Sequence, residues 1–221
     1  MLGYMLHPGV CRKLRVCLSR LASGASIESM EQKLRQALSR RQKLHISDSH
    51  RVLSAVLIPI YRRQGQPYIL FIQRTDRVKD HKGQISFPGG AYEEEDATLL
   101  QTALREAAEE VGLVAEDVEV LGELDDFCTI GSDYIISPFV ARVPWPYQFK
   151  VDEWETEGII EVPISALLDE NNVRRGKDIL EDEEIDQYYY HYQDKVIWGA
   201  TARILKQLLD IFADVLKGEK P

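Results

Sequence analysis

Arg105-Glu106-Ala107-Ala108-Glu109-Glu110 carries the strongest signal in this chain of 221 residues. At about 100° per residue on a helix, the three glutamates fall within one arc, while Leu100, Leu104, Ala107 and Val111 gather on another side. The pattern predicts a helix with one dry face and one anionic face. Like charges three and four apart cost a helix roughly 0.2–0.5 kcal/mol per pair, and a divalent cation removes that cost. Hard oxygen ligands from one or two carboxylates, completed by water and phosphate, suit Mg²⁺. A lone acidic turn would otherwise be a solvated face, so the weight falls on the residues around it.

Upstream lie Phe87-Pro88-Gly89-Gly90 and the acidic run Glu93-Glu94-Glu95-Asp96; downstream the helix closes at Gly112-Leu113. Adjacent glycines let backbone approach an anionic ligand or turn through positive φ. Asp96 is placed to cap a helix starting near Ala97. Gly90-x5-Asp96-x8-Arg105-Glu106-Ala107-x-Glu109-Glu110-x-Gly112-Leu113 resembles the Nudix box, Gly-x5-Glu-x7-Arg-Glu-U-x-Glu-Glu-x-Gly-U with U aliphatic. It departs by Asp96 for Glu and by one extra residue before Arg105.

Both departures resemble the coenzyme A diphosphatase group of the Nudix hydrolases. That group has a longer box and an upstream signature, Leu-Leu-Thr-x-Arg-(Ser/Ala)-x3-Arg-x3-Gly-x3-Phe-Pro-Gly-Gly. The same spacing runs here from Leu70 through Arg74, Thr75, Lys79 and Gly83 to Phe87-Pro88-Gly89-Gly90, with Phe71, Ile72, Thr75 and Lys79 as substitutions. Lys79 keeps the charge of the arginine it replaces but not its bidentate fork. Ile197-Trp198-Gly199-Ala200-Thr201-Ala202 resembles the start of that group's C-terminal helix, so the likeness covers about residues 50–216.

The resemblance implies an α/β/α sandwich around a mixed sheet, here with an N-terminal helical extension over residues 1–49 ahead of a Nudix domain over 50–217. It implies Mg²⁺ or Mn²⁺ held by Glu106, Glu109 and Glu110. Glu106 and Glu110, four apart, are also the first choice as ligands from helical spacing alone. Arg105 is expected to pair with the carboxylates, and it joins Asp96 and Gly112 as a structural part of the motif. Arg74, Lys79, Gly83, Phe87, Gly89 and Gly90 are the expected substrate contacts, and Lys82 also lies near enough to reach phosphate. The base that activates water is left open. Glu109 or Glu110 could serve, or an acid of the loop Asp152-Glu153-Trp154-Glu155-Thr156-Glu157, where Glu155 aligns with an acidic position of the coenzyme A group and Gly158 stands where relatives often keep another Glu.

The expected reaction is metal-dependent hydrolysis of a diphosphate, with coenzyme A or a derivative cut to 3′,5′-ADP and 4′-phosphopantetheine. ADP-ribose, a dinucleotide or a modified nucleoside triphosphate are the alternative substrates. A ligand-binding module without turnover ranks lower, since all three box carboxylates are kept. Arg174, Arg175 and Lys177 form a second basic cluster, read as solvated surface ahead of a 3′-phosphate site. His81 is read as a loop residue, and Trp198 and Tyr188 to Tyr190 as packing residues ahead of a base platform.

Charge is unevenly spread. Residues 1–51 hold ten Lys/Arg against Glu28, Glu31 and Asp48, a net +7, which leaves −16 for the remainder of a chain whose total is −9. That acidity calls for cations near a polyanionic substrate and argues against nucleic acid as partner. Cys11, Cys17 and Cys128 provide neither a disulfide framework nor a CxxC site, so a reduced, cytoplasmic setting is expected. No apolar run approaches the ~20 residues that span a bilayer. The first 26 residues hold Arg12, Lys13, Arg15 and Arg20 and no acid, which weakly resembles a mitochondrial presequence; a start set too far upstream is the preferred reading.

Apolar spacing predicts a helix over Glu31 to Leu44, as a packing or homodimer element, and a closing helix over Thr201 to Leu216. Strands are expected over Val52 to Ile60, Tyr68 to Gln73, Val118 to Phe127, Tyr134 to Val143 and Ile159 to Val162. A short helix capped by Ser165 and a hairpin around Gln193-Asp194 complete the reading.

Overall fold

The computed structural model of the chain describes residues 27–77, 82–129, 132–180 and 183–217. The basic segment before Ile27, Lys79, His81 and Gly131 lie outside them. In chain order the elements are α1 (Ile27–Arg40), β1 (Val52–Arg63), β2 (Gln66–Arg74), β3 (Ile85–Ser86), β4 (Gly89–Ala91), α2 (Leu99–Val111), β5 (Glu119–Glu123), β6 (Phe127–Cys128), β7 (Tyr134–Arg142), β8 (Thr156–Pro163), α3 (Ile164–Leu167), β9 (Val173–Leu180), β10 (Glu183–Tyr192), β11 (Lys195–Ile197) and α4 (Gly199–Lys217).

Gln64 and Gly65 both take positive φ, and Arg63 pairs with Gln66. Two such residues give the turn twist that a tight hairpin requires. The main sheet runs β3-β2-β1-β7-β5, with β4 added against β1, β6 against β7 and β8 against β2. β1 and β7 are parallel and the other pairs antiparallel, so the sheet is mixed.

Alternation along the strands divides the core in two. Ala55, Leu57 and Tyr61 of β1, with Leu70 and Ile72 of β2, pack on Ala103, Ala107 and Val111 of α2. Ile58, Ile60, Ile69 and Phe71 point the other way, onto Leu34 and Leu38 of α1 and Leu205, Leu208 and Phe212 of α4. Helices therefore cover both faces, the expected α/β/α arrangement with a helix at the N-terminal side. A second sheet, β11-β10-β9, sends Tyr190 and Ile197 into the α1/α4 side of the core.

Several boundaries differ from the sequence reading. α1 stops at Arg40, and Leu44 is exposed in the strap that follows. The expected strand from Val118 to Phe127 is two strands, because Asp125 and Asp126 leave the ladder to hold that strap. Asp125 accepts from Arg41 Nη2 at 2.8 Å and Leu44 N at 2.9 Å. Asp126 accepts from Ser137 Oγ at 2.6 Å and Ile46 N at 3.1 Å, with Lys43 Nζ at 3.0 Å. Ser165 lies inside α3, which Pro163 precedes without a side-chain cap. β9 has no strand signal in the sequence, since its Val-Arg-Arg-Gly-Lys start gives no clean alternation.

Burial alone would push the Asp126 carboxyl upward; the Ser137 hydroxyl, Lys43 and the Ile46 N–H outweigh it and hold it below the usual carboxylate range. A carboxyl lowered by folding stabilises the fold above its unfolded value, near 4, and loses that contribution as pH falls through the folded one. Asp126→Asn is thus expected to cost about 1–3 kcal/mol at pH 7, with the deficit shrinking at pH 3, as urea melts at the two pH values would show.

Candidate active site

α2 begins at Leu99, not Ala97. Its N-cap is Thr98, whose hydroxyl accepts from Gln101 N at 3.2 Å. The expected Asp96 cap is therefore corrected, and the pattern Thr98-Leu-Leu-Gln101, of the capping-box type, was the available signal. The helix ends where Gly112 turns through φ 68°, its N–H returning to the last turn.

Asp96 instead serves Arg105 from below the helix start. Arg105 Nε donates to Asp96 Oδ1 at 3.1 Å and Nη2 to Asp96 Oδ2 at 3.0 Å and to Ala91 O at 3.0 Å. Its remaining nitrogen, Nη1, donates to Glu106 at 2.9 Å and to Glu109 at 3.2 Å. One guanidinium thus ties β4 to α2 and orients two box glutamates. The Asp96 carboxyl drops to about 2, chiefly through the Arg105 hydrogen bonds, and Arg105 is raised in turn.

Glu110 is only 3 % exposed. Its Oε2 accepts from Gly89 N at 2.9 Å, and Oε1 from Arg74 Nη1 at 3.3 Å. Burial pushes its carboxyl up to about 8, against the pull of the Gly89 N–H and Arg74. Burial also raises Glu106. Two carboxylates four apart are thus held out of water against the glycine strand. Glu109 is more than half exposed at the rim. Glu155 faces Arg74 Nη2 at 4.0 Å, and its charge is felt by both Glu106 and Glu110.

The adjacent glycines form β4, paired with β1 through Val56↔Gly89 and Ala55↔Gly90. Gly89, at φ 154°, has no room for a Cβ, which would lie 2.3 Å from Ala55 O. At Gly90 a Cβ would come within 2.3 Å of Glu106 Oε1. The obstacle there is the movable end of a side chain, so Gly90→Ala is expected to fold with stability within about 1 kcal/mol of the parent but to displace Glu106. The metal concentration for half-maximal activity should rise tenfold or more, which a Mn²⁺ activation curve would measure.

The other expected contacts fall in different places. Arg74 is at the site; Gly83, at φ 66°, forms an exposed turn beside Asp76; Lys82 is exposed; Lys79 lies outside the described residues. Phe87 is 2 % exposed and stacks on Phe71 with ring centroids 4.8 Å apart, so it braces β4 from the far face of the sheet and has no surface to offer a substrate. In the second basic cluster, Lys177 pairs with Glu184 on the β9/β10 hairpin. Tyr190 is core, as expected, whereas Tyr189 and Trp198, also expected to pack, are exposed.

Among the described residues, no three carboxylates already converge on one point: Glu106 and Glu109 turn to Arg105, and Glu110 to Gly89 and Arg74. The donor set nevertheless fits a hard divalent cation. Two desolvated carboxylates with raised pKa values gain most from a positive charge, and the side-chain-free strand opposite lets both lie against its backbone.

A family model of the NUDIX domain matches residues 51–182. The uncharacterized Nudix hydrolase NudL of Photorhabdus laumondii subsp. laumondii is 35 % identical over 163 residues, 74 % of this chain and 86 % of that one. Its counterpart from Enterobacter sp. (strain 638) is 35 % identical over 192 residues, 82 % and 96 % of the two chains. The crystal structure of a MutT/nudix family protein from Enterococcus faecalis shares the fold at a TM-score of 0.52 and 14 % identity, covering 92 % of this chain and 75 % of that one. This chain belongs to the Nudix hydrolase family, whose members generally use divalent cations such as Mg²⁺.

Proposed function

We propose that this Nudix hydrolase is a Mg²⁺- or Mn²⁺-dependent diphosphatase that cuts coenzyme A or a derivative into 3′,5′-ADP and 4′-phosphopantetheine. The observation that carries the catalytic part is the pair Glu106 and Glu110, one helical turn apart, desolvated, and facing a strand whose residues there have no side chains. The substrate part rests on the long box and the Arg74-to-Gly90 signature, which resemble the coenzyme A group.

Glu106, Glu109 and Glu110 would hold the cation, which when bound neutralises phosphate oxygens and acidifies water. Arg105 keeps Glu106 and Glu109 aimed at that place. Arg74 sits between Glu110 and Glu155 and adds a fixed positive charge on which a phosphate oxygen can rest. Glu155, half exposed and with no close side-chain hydrogen bond among the described residues, is the acid we assign to take the proton from attacking water, because Glu110 is already engaged by Gly89 and Arg74. The purified protein incubated with coenzyme A, acetyl-coenzyme A, ADP-ribose, a diadenosine polyphosphate and an oxidised nucleoside triphosphate, with products identified by mass spectrometry, tests the assignment. Paired release of 3′,5′-ADP and 4′-phosphopantetheine is expected; cleavage confined to the other compounds would overturn the substrate.

A further inference from the structure

The largest exposed apolar side chain among the described residues is Trp154, at 65 %. Single exposed apolar residues are ordinary, but the backbone of this one is tied by hydrogen bonds to the strand and helix that carry Arg74 and Glu110. Trp154 N donates to Asp152 Oδ1 at 2.9 Å, and its carbonyl accepts from Thr75 Oγ1 at 2.8 Å. Asp152 N donates to Glu110 O at 3.1 Å, and Thr75 N to Glu155 O at 2.8 Å. The loop carrying the indole is thereby fastened to the backbone of Glu110 on one side and to the end of β2, just past Arg74, on the other. Arg77 lies over the ring, its guanidinium carbon 5.6 Å from the centroid, and Nη1 donates to Glu153 O at 3.4 Å. A cation backs one face of the indole, and the side chain as a whole stays 65 % exposed among the described residues.

We infer that Trp154, backed by Arg77, is a stacking platform for the nucleobase of the substrate. The inference rests on the proposed hydrolysis of a nucleotide diphosphate at the neighbouring carboxylates and adds which part of the substrate this rim receives. The loop is acidic at Asp152, Glu153, Glu155 and Glu157, so it repels phosphate; an uncharged planar ring is the portion of a nucleotide that can approach it. Aromatic stacking supplies affinity for any base through its π face, and a pantetheine arm has none to offer.

The test measures binding and kinetics of the full chain with Mg²⁺, comparing the parent, Trp154→Ala and Trp154→Phe. The probes are 5′-AMP, which carries a base, and ribose 5-phosphate, which does not. Because the side chain is exposed, all three proteins should melt alike. Trp154→Ala is expected to weaken 5′-AMP about ten- to hundredfold and to raise KM for the hydrolysed nucleotide by a similar factor with little change in kcat. Ribose 5-phosphate binding should not change, and Trp154→Phe should recover most of the loss. Equal 5′-AMP affinity in parent and Trp154→Ala, equal weakening of both probes, or no 5′-AMP binding by the parent would each overturn the platform. If coenzyme A is not cleaved but 5′-AMP binding still depends on Trp154, the platform stands and the substrate assignment falls.

Discussion

Glu110→Gln is expected to lower turnover by about 10³-fold or more, while in chelator the variant unfolds at the parent's temperature or above it. The two effects have opposite causes. Gln keeps an oxygen for the Gly89 N–H, turns an amide nitrogen instead of an acceptor toward Arg74, and removes any charge from a carboxyl that in the metal-free protein is desolvated near Glu106 and Glu155. Removing that charge relieves a burial cost. In the proposed mechanism the same group would hold the cation, and several kcal/mol of transition-state stabilisation would depend on it, at a tenfold rate per 1.36 kcal/mol. Steady-state hydrolysis in Mg²⁺ and thermal melts in EDTA read the two halves. Undiminished turnover would remove Glu110 from the site, and a large drop in melting temperature would make it a structural residue.

Arg105→Ala should be costly in both respects. Asp96 is 6 % exposed and relies on the Arg105 fork; stripped of it, the carboxylate stays buried with Thr102 Oγ1 and Glu93 N as its remaining donors. A loss of about 3 kcal/mol is expected, together with a tenfold or greater rise in metal requirement, because Glu106 and Glu109 lose their common anchor. Arg105→Lys retains the charge but cannot serve Asp96, Ala91 O and Glu106 from one plane, so partial recovery is expected. The sign with pH is fixed by Asp96, whose folded pKa is about 2. Its contribution is present above the unfolded value near 4 and is lost as pH falls through 2. The Arg105→Ala deficit in urea melts should therefore hold from pH 7 to 5 and shrink as acidification proceeds.

The parts of the fold that were legible in sequence are those with a strong period. β1, β2, β7 and α4 announce themselves because each buries a regular set of apolar residues, and the hairpins at Gln64-Gly65 and Gln193-Asp194 because the turn chemistry is local. Gly89-Gly90 gives no strand signal because a glycine strand has no side-chain alternation; what makes it a strand is the close approach of β1 and of Glu106, which is tertiary. The division between β5 and β6 was hidden for a related reason: Asp125 and Asp126 leave the ladder to bind a strap some 80 residues earlier in the chain. At the site, the box placed Glu106, Glu109, Glu110 and Arg105 on one helix from spacing alone. Arg74 beside Glu110 and Trp154 over the loop depend on strand pairing, which no local pattern encodes. Phe87 comes with the glycines as part of the Phe-Pro-Gly-Gly signature, although its side chain turns into the opposite core.

The box carboxylates of α2 are proposed to grip a divalent ion. Calorimetric titration of Mn²⁺ into the parent and Glu110→Gln at pH 7.5 addresses it most directly. A saturable isotherm in the parent that is lost or weakened at least tenfold in the variant is predicted; no heat in the parent, or indistinguishable isotherms in the two proteins, would contradict it.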